Sequence, residues 1–164
     1  MNQRVKQGLR TIASAIGILA AIYLICIIIF IFATNSQRQD QKAVAAVAID
    51  KTPIIKINKT YHLSRSVKSD SVVGTDRKGH KYYFIYLSHS KKSYLYSSNS
   101  GLSEARIRSI FLSKHPGHSN LKIELGWYKA RPVWEISYKK NNGNYGYALY
   151  NFKDGKEIYF IDNI

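Results

Sequence analysis

The stretch from Ile12 to Ala33 constrains this chain more than any other feature. It is 22 residues of almost unbroken Ile, Ala, Leu and Phe, relieved by Ser14, Gly17, Tyr23 and Cys26, with no charge between Arg10 and Arg38. At 1.5 Å per residue a helix of that length reaches about 33 Å, and a hydrocarbon core is about 30 Å thick. A single segment in lipid must satisfy its own backbone hydrogen bonds, so a helix is the form it takes. The run exceeds the apolar region of a secretion signal, and Thr34-Asn35-Ser36-Gln37-Arg38 supplies no small-residue cleavage site after it. Tyr23-Leu24-Ile25 before Cys26 lacks the small residue of a lipoprotein signal. An uncleaved anchor is therefore the expectation. Arg4, Lys6 and Arg10 precede it without an acid, which places the N-terminus in the cytoplasm and the rest of the chain outside.

About 130 residues follow the span, enough for one ordinary domain or two very small ones. The composition shifts suggest four segments: 1–11 cytoplasmic, 12–34 the anchor, 35–97 a first small domain and 98–164 a second. Units of about 60 residues bury a limited core, so two such units would lean on each other. The only cysteine, Cys26, lies in the span, which excludes a disulfide framework and a thiolate metal site outside it. The formal charge is +15, and the first ten residues account for +3 of it, leaving 22 basic against 10 acidic residues in the remainder. An outward-facing basic domain does not meet nucleic acid. Its polyanions are phosphate-rich wall polymers, anionic lipid headgroups and acidic proteins, and the alternative is a charged surface that serves solubility alone.

Beyond the span, Val44, Val47 and Lys51 fall at helical spacing, and Pro53 ends that helix. The period then changes. Ile55, Ile57 and Tyr61 alternate, Ser71-Val72-Val73 reads as a short strand, and Asp76 to Gly79 as a turn. Lys81 to Leu87 forms the second arm of a hairpin, with Tyr82, Phe84 and Tyr86 on one face and Tyr83, Ile85 and Leu87 on the other. Lys91 to Tyr96 adds a strand, and the turn formers Ser97 to Gly101 mark an internal boundary. Ser103 is placed to cap a helix that Pro116-Gly117 stops, with Ile107, Ile110 and Phe111 as its apolar face. Four strands follow: Leu121 to Tyr128, Val133 to Tyr138, Gly146 to Phe152, and Glu157 to Ile161. Turns at Asn141 to Asn144 and at Asp154-Gly155 punctuate them. Each half of the chain beyond the span thus reads as helix then strands, an α+β plan in which a helix covers one face of an antiparallel sheet.

Chemistry is sparse. His115 and His118 flank Pro116-Gly117 without a third ligand nearby, there is no nucleophile elbow and no serine-lysine motif of penicillin-binding type, and no pair of acids is spaced for general acid–base work. No catalytic, cofactor or metal residue is therefore assigned, and the chain is expected to be no enzyme. Glu135 lies between Trp134 and Ile136 and is expected on the exposed parity, whereas Trp127 and Trp134 take the core parity. Tyr145, Tyr147 and Tyr150, flanked by Lys139, Lys140, Lys153 and Lys156, are the candidate partner-binding surface.

Val72-Val73-Gly74-Thr75-Asp76, followed by the Gly79 turn and an aromatic strand, resembles the first extracellular module of TseB-like (YpmB-like) cell wall elongation regulators. Pro132-Val133-Trp134-Glu135-Ile136-Ser137-Tyr138 resembles the second module, which is related to PepSY domains, as does Tyr145-Gly146-Tyr147 leading to Tyr150-Asn151-Phe152-Lys153-Asp154-Gly155-Lys156. The likeness covers nearly the whole chain. It implies a single-pass membrane protein of Gram-positive bacteria with two cystatin-like α+β domains outside the cell. It further implies a non-enzymatic role in sidewall synthesis through an elongation-specific penicillin-binding transpeptidase. Binding of teichoic acid or anionic lipid is the alternative that the charge suggests, and a protease-inhibitory module is the one that the PepSY likeness suggests.

Overall fold

The computed structural model of the chain describes residues 3–140 and 142–162. Its elements run α1 (Gln3–Lys51), β1 (Lys56–Ser64), β2 (Lys68–Thr75), β3 (Lys81–Leu87), β4 (Lys92–Ser97), α2 (Glu104–Lys114), β5 (Lys122–Tyr128), β6 (Arg131–Lys139), β7 (Tyr145–Asn151) and β8 (Glu157–Ile161). The chain divides into two units, one up to Gln39 and one from Asp40 onward. In the first, α1 carries the window Ser14–Ile31, with a mean hydropathy of 2.9 and no part of it buried. It is long and apolar enough to cross a membrane, a property that an anchor shares with a secretion signal.

The second unit is mixed α+β, with two four-stranded antiparallel sheets ordered β1-β2-β3-β4 and β5-β6-β7-β8. Short turns join neighbouring strands, so each sheet is a meander. On the first sheet the two rows of β3 separate as the alternation requires. Phe84 packs with Val72 and Ile54 against Val44 and Ala48 of α1, flanked by Tyr82 and Tyr86. Tyr83, Ile85 and Leu87 enter a core on the opposite face. Helix α1 ends at Lys51, just before Pro53, as the proline dictates.

Two features of this sheet depart from the sequence reading. β2 is eight residues long rather than a short strand at Ser71 to Val73, and its polar start is buried. Ser69 and Asp70 pass for loop residues in sequence, yet each has a fixed partner. Ser69 Oγ donates to Leu63 O at 3.2 Å and accepts from the Trp127 amide at 3.1 Å. Asp70 Oδ1 lies 2.7 Å from His62 Nδ1. The second departure is a bulge in β1, where Ile57 pairs with Gly74 but Lys59 already pairs with Val73, leaving Asn58 as an extra residue. The insertion flips the parity. Ile57 therefore packs toward α1, whereas Tyr61 turns to the opposite core instead of sharing a face with Ile57.

On the second sheet Ile123, Leu125, Trp134, Ile136, Tyr138, Ala148 and Tyr150 bury one face with Ile107 and Phe111 of α2. Ser103 caps α2 by accepting from the Arg106 amide at 3.3 Å. Trp127 and Trp134 are both buried, and Trp134 Nε1 donates to Leu102 O at 2.9 Å, the partner that a buried indole needs. One core cluster unites Tyr61, Tyr83 and Ile85 of the first sheet with the α2-bearing face of the second. Edge-on contacts of Tyr61 and Tyr83 to Trp134, at 5.4 and 6.2 Å between ring centres, sit at that junction.

The other face of the second sheet is not free either. Leu63 packs there with Val133 and Leu149. A Cβ at Gly126 would collide with the Leu63 side chain and lie 2.6 Å from Ser69 Oγ, so only glycine admits the β1–β2 hairpin at this distance. The same hairpin corrects the placement of Glu135. Its parity is outward, but Arg65 covers it in an ion pair and leaves its side chain only 12% exposed.

Candidate interaction surfaces

The seven residues nominated from sequence do not form one patch. Tyr150 is fully buried, with its hydroxyl donating to Glu157 Oε2 at 2.7 Å, and it presents no surface to a partner. Tyr147 is half-buried beneath the Arg65 guanidinium, 5.0 Å from its ring centre. Tyr145 is exposed, and Lys139 lies over its ring at 5.5 Å. Lys140 forms an ion pair with Asp162 at 2.7 Å. Lys153 and Lys156 occupy the β7–β8 turn, at the opposite end of β7 from Lys139 and Lys140. At about 3.3 Å per strand residue that separation is about 20 Å. Tyr145 with Lys139 at one end and the Lys153/Lys156 turn at the other are thus two separate basic features.

A better-formed concavity lies elsewhere, between the inner face of the first sheet and the start of α2. This cleft of about 630 Å³ is lined by Asn58, Lys59, Tyr61, Val73, Lys81 and Tyr83 from the sheet, and by Ser103, Glu104, Ala105, Arg108 and Ser109 from the helix. Each contribution has a local cause. The bulge at Asn58 turns Lys59 and Tyr61 inward, the alternation of β3 puts Lys81 and Tyr83 on the same face, and helical spacing sets Glu104 above Arg108. Glu104 Oε2 receives hydrogen bonds from Lys59 Nζ at 2.6 Å and from the Tyr61 hydroxyl at 2.7 Å. Burial pushes the Glu104 carboxyl up, but these two donors outweigh it and hold it below the ordinary carboxylate range. Burial, and then the bond to Glu104, raise the Tyr61 hydroxyl, so it stays a donor.

The histidine pair of the α2–β5 loop is structural. His115 stacks flat on Phe160 with ring centres 4.0 Å apart, and its Nε2 lies 2.9 Å from Glu157. A carbonyl only accepts, so His118 carries a proton on Nδ1 to reach His115 O at 3.0 Å. Burial raises the Glu157 carboxyl, and the bonds from His115 and Tyr150 more than reverse this and leave it lowered. Among the described residues, no group of three or more His, Cys, Asp or Glu is placed to hold a metal. Among the described residues, nine of the ten acids stand within ion-pair distance of a Lys, Arg or His, and Asp50 is the exception. The cleft was not legible in sequence. Its sole local signal, Ser103 followed by Glu104, reads simply as a helix start.

No family model matches the chain, and no curated protein matches it. Among solved structures the fold is similar to that of the YpmB protein from Bacillus subtilis. The TM-score is 0.61, with 25% sequence identity, covering 73% of this chain and 94% of that one. This likeness supports the YpmB-like resemblance carried by the residues of β2, β6 and β7.

Proposed function

We propose that the chain is a single-pass membrane protein whose N-terminus is cytoplasmic and whose two small domains, 35–97 and 98–164, lie outside the cell. There they regulate cell wall elongation by binding a penicillin-binding transpeptidase. The observation that carries this reading is the fold shared with the YpmB protein along almost the whole of that structure. The resemblance of the sequence motifs to TseB-like and PepSY-like modules and the apolar window Ser14–Ile31 support it. The role proposed is one of binding rather than catalysis.

The test is crosslinking in live cells from photoreactive residues on the exposed strand face, for instance at Tyr145, followed by identification of the captured proteins. Recovery of an elongation-specific transpeptidase is the expected result; repeated capture without any wall synthase refutes the proposal. A second reading, attachment to phosphate-rich wall polymer or anionic headgroups, is favoured by one observation. Six of the Lys and Arg residues are in ion pairs among the described residues, which leaves most of the 22 cations beyond the first ten residues without a carboxylate.

A further inference from the structure

The cleft at the start of α2 has donors left over. Glu104 is saturated on one oxygen by Lys59 and Tyr61, which neutralises that pair. Lys81 and Arg108 line the same space and form no ion pair among the described residues. Tyr83 is 3% exposed, lines the cleft, and its hydroxyl forms no hydrogen bond among the described residues. The hydroxyl atom itself is not enclosed, since Ser71 Oγ is the one buried side-chain polar atom without a partner among the described residues, so it is open to the cleft. Here it is also kept protonated, because burial and then the Glu104 charge raise it. Ser103 takes the Arg106 amide, while the Glu104 and Ala105 amides at the positive helix end have no acceptor among the described residues. Three cations against one acid leave the cleft with an excess of two positive charges.

We propose that this cleft binds a phosphodiester group, with Lys81, Arg108 and the Tyr83 hydroxyl as the donors that hold it. A carboxylate accepts in one plane, whereas a tetrahedral phosphate accepts from several directions at once. The donors converge from a sheet face and from a helix end, and so suit the phosphate. The β1 bulge is what builds the floor. Without the extra Asn58, Tyr61 and Lys59 would lie on the opposite parity, Glu104 would lose its partners, and its charge would repel an anion from the same space. The cleft is open at the surface, which lets one phosphodiester of an extended polyol chain be gripped while the rest of the chain passes on. The proposal rests on the second reading above and gives it a site; it does not depend on the transpeptidase.

The test uses the full chain in neutral detergent at low ionic strength, where surface charge is least screened. The probe is a glycerol-phosphate oligomer, followed through tryptophan fluorescence, since Trp134 touches both Tyr61 and Tyr83. Saturable binding is expected. Tyr83→Phe keeps the ring packed on Phe152 and Trp134 and should weaken binding about tenfold by removing one hydrogen bond to an anion. Lys81→Ala with Arg108→Ala should weaken it about 100-fold. Lys153→Ala with Lys156→Ala, on the remote turn, should leave it unchanged. Binding that falls equally with the remote pair, or that ignores Tyr83 and Arg108, overturns the site while the polymer reading survives. No binding at all overturns both. Polyglutamate of equal charge binding as tightly through the same residues overturns the phosphodiester assignment. Competition by phosphatidylglycerol or by inorganic phosphate, read through the same variants, supports the site and distinguishes a lipid headgroup or free phosphate from a polymer as its source.

Discussion

At the scale of single residues, the cleft shows how one carboxylate organises its surroundings. Glu104 sits where the helix end favours a negative charge, and it gives the inward Tyr61 hydroxyl an acceptor that the core cannot supply. Glu104→Ala should therefore destabilise the fold by about 1–2 kcal/mol, mainly through Tyr61, since the half-exposed Lys59 contributes little. The pH dependence has a definite sign. A carboxyl held below its unfolded value contributes fully above that value, about pH 4.3, and the contribution disappears as pH falls through the lower folded one. The stability difference between wild type and Glu104→Ala should thus be largest near neutrality and shrink below about pH 4, as measured by denaturant unfolding across that range. Tyr150 makes the opposite point about sequence reading. It looks like its neighbours Tyr145 and Tyr147, yet its parity and the bond to Glu157 commit it to the core.

At the scale of elements, the β1–β2 hairpin does more than extend the first sheet. Its far end reaches the edge of β5, where the His62 amide donates to Glu124 at 2.9 Å and the Trp127 amide donates to Ser69. Those bonds occupy an edge that would otherwise present unpaired groups. Gly126 is the gap that lets the hairpin close, so Gly126→Ala should separate the hairpin from β5 at a cost of about 1–3 kcal/mol. Hydrogen exchange should accelerate at His62 and Trp127 before it does within β6 and β7. An unaltered exchange pattern would mean that the hairpin is held by other contacts. The strands whose alternation is clean, β3 and β5 to β7, were legible because one face of each meets a core. β2 was legible only over Ser71 to Val73, because its buried start takes side-chain partners on other strands, Asp70 from β1 and Ser69 from β5, and nothing local announces them.

At the scale of the whole molecule, the second unit depends on a core to which both sheets contribute. Trp134 is its centre, touched by Tyr61, Tyr83 and Phe152. Trp134→Ala should cost about 3–5 kcal/mol. Because both sheets feed the same cluster, they should lose structure in one transition, with tryptophan fluorescence and far-ultraviolet dichroism giving coincident unfolding curves. Two separated transitions would show that each sheet stands alone. The apolar window of α1 carries no charge pair, and its proposed task is to hold the outer domains near other membrane-bound partners. An unrelated single span of the same orientation should then rescue a deletion strain as well as the native one. Rescue by the native span alone would make the span itself a recognition element.

The sequence by itself determined the apolar helix, the order of strands and turns, the capped α2 and the inward parity of Trp127 and Trp134. These follow from local rules, namely uninterrupted apolarity, period two, turn residues and a capping serine. What only the tertiary structure decided is everything that depends on one strand meeting another. The bulge at Asn58 sent Tyr61 inward, the hairpin covered Glu135 and Tyr147, and the packing of α2 against the first sheet brought Lys81, Arg108 and Tyr83 around one space. The physical reason is that a strand's pattern fixes which residues share a face, but only its neighbours fix what that face touches.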